Sequence, residues 1–132
     1  MEAQGRAAHA WLEPEKGASA VLEIARQIER LHSLSEPERG TTVNVGVVEG
    51  GTRSNVVAAH ARAEVDVRFS TQDEARRIEA AILNSSPFDE RVKVLVRGGI
   101  NRPPLERNEG VAHLYEHARE IAAALDFDLG EA

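Results

Sequence analysis

The chain has 132 residues, 42% of them hydrophobic and only 4% aromatic, which suits one domain whose core is built from Val, Ile, Leu and Ala. Its formal net charge of −6 argues against nucleic acid as a partner, and no apolar stretch is long enough to cross a membrane. Cysteine is absent, which excludes disulfides and thiolate metal sites, and residues 1–9 lack an apolar signal core, so we expect a cytoplasmic protein.

The first half of the chain predicts one helix followed by two strands. Apolar residues at helical spacing predict a helix over residues 15–34, and a loop follows over residues 35–40. Residues 41–49 form a strand, residues 50–55 a glycine-rich turn, and residues 56–69 a long second strand. Charged and apolar residues alternate at the end of this second strand, which is typical of a sheet buried on one face only.

The second half adds a helix, a strand and a last helix. A capping-box pattern opens a helix over residues 71–84, residues 91–97 alternate as a strand, and residues 101–108 form a proline-containing loop. Residues 109–125 form the last helix, and residues 1–8 can supply only a short first strand. We therefore predict an α+β fold: a ferredoxin-like two-layer sandwich with an antiparallel sheet, helices on one face, a truncated first strand and an extra C-terminal helix.

No constellation in the chain predicts a metal site or a nucleophile. His113 and His117 stand four apart on the last helix and could share a face, but two solvent-facing histidines are the better explanation. The serines lie in loops without the flanking glycines of a nucleophile elbow. The two glycine pairs, Gly50-Gly51 and Gly98-Gly99, indicate turns more than phosphate binding.

Three side chains are candidates for a binding or catalytic role because each can donate hydrogen bonds. His9, Asn55 and Arg68 could stabilise a developing oxyanion or bind a substrate carboxylate. Ordinary structural roles remain open for each of them. His9 suits a loop, Asn55 suits a turn, and Arg68 could pair with Asp66 on the same strand face.

A series of motifs resembles the lid domain of a family of zinc-dependent exopeptidases and deacylases. This family includes glutamate carboxypeptidase, acetylornithine deacetylase, succinyl-diaminopimelate desuccinylase and aminoacylase, and the resemblance is closest to the glutamate carboxypeptidase branch. The motifs, in chain order, are Gly-Arg-Ala-Ala-His-Ala at 5–10, Pro-Glu-Lys-Gly at 14–17, Thr-Val-Asn-Val-Gly at 42–46, Gly-Gly at 50–51, Ser-Asn-Val-Val at 54–57, Val-Asp-Val-Arg at 65–68, Arg-Gly-Gly at 97–99 and Arg-Pro-Pro-Leu at 102–105.

The resemblance implies that residues 1–132 are a single dimerisation and lid domain of a larger metallohydrolase. Residues 109–132 would be the helix that leads back to the catalytic domain. In this family the catalytic domain binds zinc, but this chain contains neither a His-x-Asp motif nor a Glu-Glu pair. We therefore expect no cofactor in this chain, no activity of the isolated chain, and a homodimer formed through the first helix and the edge strand 41–49.

The resemblance also implies roles for the three donors. The histidine matching His9 acts in trans in the active site of the partner subunit, where it helps to stabilise the tetrahedral intermediate. The residues matching Asn55 and Arg68 bind the substrate, and the arginine binds its carboxylate. Trp11 departs from the family pattern, which has glycine there, so it either reshapes the pocket beside His9 or rests on the first helix.

A second hypothesis is a free-standing small-molecule-binding or regulatory module with the same ferredoxin-like fold. It would need no catalytic domain. Flanking sequence distinguishes the two hypotheses, because zinc-ligand motifs on both sides of this chain would favour the lid domain.

Overall fold

The computed structural model describes residues 1–130, which contain one four-stranded antiparallel sheet with the strand order β2-β3-β1-β4. The strands are β1 (Glu2–Gln4), β2 (Thr41–Gly50), β3 (His60–Phe69) and β4 (Lys93–Leu95). This order and the antiparallel pairing confirm the predicted ferredoxin-like α+β sandwich, including its short first strand.

Two helices cover one face of this sheet and a third follows at the C-terminal end. They are α1 (Ala20–His32), α2 (Gln72–Leu83) and α3 (Glu109–Ala124). Each begins at a polar residue whose side-chain oxygen accepts a backbone N–H three residues on, which satisfies one of the free donors of the first turn. These N-cap residues are Ser19, Thr71 and Asn108.

The core lies between the sheet and the first two helices, and it consists of two clusters of small and branched residues. One cluster centres on Ile24 of α1 over β1 and β3, and the other joins Leu31 of α1 and Ile78 of α2 over Val43 of β2. These four side chains are almost completely buried. The alternation seen in the sequence therefore does identify the face that the helices cover.

The predicted start of the first helix, at residue 15, is wrong by five residues. Pro14–Lys16 form a separate 3-10 turn, and α1 begins only at Ala20. Between them the backbone of Ala18 exchanges two hydrogen bonds of 2.9 Å with Arg6, which holds it extended. A long-range pairing thus overrides the local preference for helix.

Two predicted strands are longer than the observed ones. The residues before His60 leave the regular ladder, although Val56 still forms an isolated bridge with His9. Strand β4 covers only Lys93–Leu95 of the predicted range 91–97, because its partner β1 offers just three residues. The predicted strand 41–49 and helix 71–84 agree with β2 and α2 to within one residue at each end.

Helix α3 ends at Ala124, one residue before its predicted end, and it is mostly exposed. Within residues 1–130, no helix is long and apolar enough to cross a membrane. The last two residues of the predicted C-terminal segment 109–132 lie outside the described part of the chain.

Candidate functional site

The segment after β1 runs antiparallel to the segment before β3, and this pairing places His9 beside Asn55. Gly5 N donates to Ala59 O at 2.8 Å, Val57 N donates to Ala8 O at 2.9 Å, and Ala10 N donates to Asn55 O at 3.0 Å. The backbones of two residues 46 positions apart in sequence are therefore held at one edge of the molecule.

Close backbone packing supports this edge and requires glycine at two positions. A Cβ on Gly5 would lie 2.0 Å from the carbonyl oxygen of Ala18, and one on Gly17 would lie 2.9 Å from the side chain of Val57. No side chain fits at Gly5 without moving the backbone. The glycines of the first two motifs therefore have a packing role in holding His9 in place.

The hydrogen bonds of His9 determine which of its ring nitrogens can act as a donor. Nδ1 accepts from the backbone N–H of Trp11 at 3.2 Å and of Leu12 at 3.3 Å. A neutral imidazole whose Nδ1 accepts must carry its proton on Nε2. The exposed side chain of His9 thus presents an N–H donor to a group outside the chain.

Asn55 is exposed, and only its backbone is engaged with the rest of the site. Within residues 1–130 its side-chain amide makes no hydrogen bond, so both its donor and its acceptor are free to meet a ligand. The backbone of Asn55 is not in the left-handed conformation. Among the described non-glycine residues, only Asp126 adopts it.

Arg68 lies far from the other two candidates, at the opposite end of β3. It pairs with Thr42 of β2, and its Nε donates to Asp66 Oδ2 at 3.1 Å, which is the structural pairing that the sequence also allowed. Eight residues of extended strand separate it from His60, a distance of about 26 Å. The structure therefore brings His9 and Asn55 together and leaves Arg68 apart from both.

Trp11 does not rest on the first helix, because 84% of its surface is exposed. Its backbone N–H orients the ring of His9, and its indole projects away from the domain. Neither this backbone contact nor the one from Leu12 could be read from the sequence, since both depend on the turn that follows His9.

The described residues do not assemble a metal site. In the chain from residue 1 to 130, no group of three or more His, Cys, Asp or Glu side chains could hold a metal ion. His113 and His117 are both exposed on α3, and Nδ1 of His117 lies 3.9 Å from Oε2 of Glu120.

Glu74 is a buried carboxylate that lies in a network of ion pairs and hydrogen bonds. Glu74 is buried at the start of α2, where hydrogen bonds from Arg77 and Thr41 and the charge of Arg39 lower its pKa to about 2. Arg77 also pairs with Glu36 at 3.0 Å. This network links α2 to the start of β2, and nothing in the pattern of the sequence indicates it.

A second buried carboxylate holds the loop that leads to β4. Glu23 of α1 accepts the backbone N–H groups of Phe88 and Asp89 at 3.0 and 3.1 Å, and the side-chain amide of Gln27 at 2.8 Å. Both buried acids therefore have complete hydrogen-bonding partners, which explains their burial without a catalytic role.

One protein family matches most of the chain, including the three candidate residues. The family described as "Peptidase dimerisation domain" matches residues 1–85. A probable carboxypeptidase of Neosartorya fischeri is 39% identical over 109 residues, which cover 71% of this chain and 24% of that protein. An indole-3-acetyl-aspartic acid hydrolase of Enterobacter agglomerans is 41% identical over 70 residues, which cover 52% of this chain and 16% of that protein.

A solved structure extends the similarity to the fold of nearly the whole chain. The crystal structure of aminopeptidase PepT from Bacillus cereus superposes with a TM-score of 0.67 at 25% identity, over 98% of this chain and 35% of that one. The chain spans about a quarter of the length of the probable carboxypeptidases that it resembles. The matched region contains His9, Asn55 and Arg68.

Proposed function

The chain belongs to the peptidase dimerisation domain family, as its motifs indicated, and on that premise we propose that it is the dimerisation and lid domain of a zinc metallopeptidase or amidohydrolase. Such an enzyme would be cytoplasmic and would cleave the amide bond of a C-terminal amino acid or of an N-acyl amino acid. The isolated chain would have no hydrolase activity, because the catalytic domain lies outside it.

The proposed mechanism rests on the distance between the three donors. His9 and Asn55 share one edge of the domain, and Arg68 lies at the far end of β3, about 26 Å from its near end. One substrate cannot contact all three residues of a single subunit. We therefore assign His9 and Asn55 of one subunit to the active site of its partner, and Arg68 to a different active site of the dimer.

Each donor suits the chemistry of amide cleavage. The Nε2–H of His9 would donate to the oxygen that becomes negatively charged in the tetrahedral intermediate, and the amide of Asn55 would bind the substrate beside it. The guanidinium of Arg68 would exchange its bond to Asp66 for a two-point contact with the substrate carboxylate. Losing one such oxyanion donor typically lowers kcat about 100-fold to 1,000-fold.

The zinc of the parent enzyme would be held by the catalytic domain. Residues 1–130 contain no cluster that fits a metal ion, so the role we give this chain is confined to hydrogen bonding, substrate orientation and dimer formation.

The dimer contact proposed here is narrower than the whole predicted edge 41–49. The outer edge of β2 is already occupied in its first half, because Thr41, Val43 and Val45 bond to Glu36, Ser35 and His32 of the same chain. In the part of the chain that the structure describes, no such bond covers residues 46–50. A second copy can therefore add its own β2 only there, across a two-fold axis.

Exposed apolar side chains flank this free half of the edge. Val21 lies over Gly50, since its methyl group would come within 2.9 Å of a Cβ at that position. Val21 is 43% exposed, Leu22 beside it 51% and Val48 of β2 also 51%. These side chains on α1 and β2 form an apolar patch that dimerisation would cover.

The dimer contact is tested by two variants matched in exposure. Val48→Asp should convert the purified domain from dimer to monomer in sedimentation velocity, because it places a charge in the apolar patch. Ile121→Asp, at a side chain of α3 that is also 51% exposed, should leave the dimer of the purified domain intact. A monomeric wild-type domain at high micromolar concentration would contradict this interface.

The sharing of active sites is tested by subunit complementation. In a chimera, this chain replaces the matching domain of the indole-3-acetyl-aspartic acid hydrolase, and hydrolysis of indole-3-acetyl-aspartate is measured. His9→Ala should lower kcat by about 100-fold or more, and Arg68→Ala should mainly raise KM. His113→Ala, an exposed histidine on α3, is the control and should have no effect.

Mixing pairs of variants then separates the two arrangements, provided that the rate is measured at a substrate concentration well below KM, where each variant alone is nearly inactive. If His9 acts in trans to Arg68, equal amounts of His9→Ala and Arg68→Ala subunits recover about a quarter of the wild-type rate, because half of the dimers contain one intact site of two. Mixing His9→Ala with Asn55→Ala should recover nothing, because both residues serve the same site. Recovery in this second mixture, or none in the first once mixed dimers are verified, would refute the assignment.

Helix α3 supports the proposal that another domain packs on this one. Leu114, Ile121 and Leu125 are 69%, 51% and 75% exposed, and the hydrogen bond from Gln72 N to Glu106 tethers the segment that leads into the helix to α2. We assign this exposed apolar side of α3 to the catalytic domain.

A further inference from the structure

Two large apolar side chains are exposed side by side at the edge that carries His9. Trp11, the only tryptophan of the chain, is 84% exposed, and Leu12 is 71% exposed. Tryptophan is highly buried on average in folded proteins, because its side chain carries a large apolar area. An adjacent pair of this kind differs from the single apolar residues scattered over an ordinary surface, and it indicates a place that another molecule covers.

The turn over residues 9–13 fixes the position of Trp11 relative to His9. Glu13 N donates to His9 O at 3.3 Å, which closes one helical turn, and Trp11 N donates to Nδ1 of His9 at 3.2 Å. An N–Cα bond is about 1.46 Å long, so the Cα of Trp11 lies within about 4.7 Å of that ring nitrogen. The Cα–Cβ bonds of a helical turn tilt towards its N-terminal end, where the His9 ring lies. The side chains of Trp11 and Leu12 therefore border the ring that presents the Nε2–H donor.

The segment around His9 is apolar. Residues 7–12 have the sequence Ala-Ala-His-Ala-Trp-Leu, without a charged side chain, and the next acid along the chain, Glu13, is already paired with Lys16. This segment offers a charged substrate group no counter-ion, and burying a charge without one is costly. A flat aromatic group, in contrast, would bury its face against the indole and gain a stacking contact. The turn therefore favours an uncharged, flat group beside His9.

We propose that Trp11 is a specificity-determining residue, whose indole stacks on an aromatic ring in the acyl group of the substrate. This inference rests on the proposed function, in which the turn reaches the active site of the partner subunit. The carbon that carries the oxygen bound by His9 also carries the acyl substituent. The carboxylate of the leaving amino acid lies on the other side of the amide nitrogen, and it is assigned to Arg68 of the other subunit. Trp11 therefore lies next to the acyl substituent, and the substrate class is an N-arylacyl amino acid.

The experiment uses the chimera with the catalytic domain of the indole-3-acetyl-aspartic acid hydrolase and two substrates of matched size. Phenylacetyl-aspartate has a flat aromatic ring, and cyclohexylacetyl-aspartate has a saturated ring. Trp11→Leu keeps an apolar side chain and the backbone N–H that His9 accepts, but it removes the aromatic face. It should lower the ratio of kcat/KM for the aromatic substrate over the saturated one by about 3-fold to 10-fold.

Two control variants make this ratio specific to the aromatic ring of residue 11. Trp11→Phe retains an aromatic face and should keep most of the preference for phenylacetyl-aspartate. Leu105→Ala removes an apolar side chain that is also 84% exposed, on the loop before α3, and should leave the ratio at the wild-type value.

Failure of this inference is distinguishable from failure of the proposed function. A wild-type ratio in Trp11→Leu, or an equal loss of kcat/KM for both substrates, would overturn the role of Trp11 in specificity. An equal loss would indicate that the indole packs on the partner subunit instead of on the substrate. The proposed function fails by a separate measurement, namely an unchanged kcat of His9→Ala with both substrates.

Discussion

Gly5→Ala is expected to destabilise the domain at the point where the segment carrying His9 is held in place. The added Cβ would lie 2.0 Å from the carbonyl oxygen of Ala18 and 3.2 Å from the nitrogen of Ala20. An ordinary carbon–oxygen contact is about 3.3 Å. The two backbone segments must therefore separate by about 1.3 Å, because a peptide carbonyl cannot move aside as a flexible side chain can.

The magnitude follows from what this separation breaks. Arg6 and Ala18 exchange two hydrogen bonds of 2.9 Å, and moving them apart by about 1.3 Å loses both. Each contributes about 1 kcal/mol net. Ala18 and Ala20 are also at least 99% buried, and disturbing such packing costs about 2 kcal/mol more. The free energy of unfolding should therefore fall by about 4 kcal/mol, and the Tm by roughly 10–15 °C.

The assay is urea unfolding followed by circular dichroism, at one protein concentration because dimerisation would contribute to stability. Gly130→Ala is the matched control. Its Cβ would meet nothing within 4 Å, so its stability should stay within about 0.5 kcal/mol of wild type or rise slightly. A Gly5→Ala midpoint equal to that of Gly130→Ala would refute the argument from close packing.

Two further measurements test the buried groups of the core. The pKa of Glu74 is lowered to about 2 from an ordinary 4.5, chiefly by Arg77 and then by Thr41, so its contribution is present above pH 4.5 and is lost as the pH falls through about 2. Denaturant unfolding between pH 7 and pH 2 should show this decline, and Glu74→Gln should make it shallower; an unchanged slope would contradict the network. Leu31→Ala, at a completely buried side chain, should lower the free energy of unfolding by about 3 kcal/mol, whereas Leu114→Ala, 69% exposed, should change it by less than about 0.5 kcal/mol. Equal losses in these two variants would show that the position assigned to Leu31 in the core is wrong.

Local signals predicted the elements that depend on local contacts. Helix α2 begins beside the capping residue Thr71, and β2 agrees with its alternating valines to within one residue. The start of α1 was not predictable in this way. Helix α1 begins late because Arg6 pairs with Ala18, 12 positions away, and no property of Pro14 or Glu15 indicates this pairing. Similarly, β4 is short because β1 is short, a constraint from a strand 90 residues away.

The sequence by itself determined the class of the fold, the buried face of β3 and three donors as candidates, because periodicity, capping and residue chemistry are local properties. Only the tertiary structure decided which of these candidates lie close together. His9 and Asn55 meet through backbone pairing across 46 residues, whereas Arg68 is only 13 residues from Asn55 in sequence but lies near the far end of β3. Strand register and the extended rise of β3 set these distances, and both arise from contacts between segments that are remote along the chain.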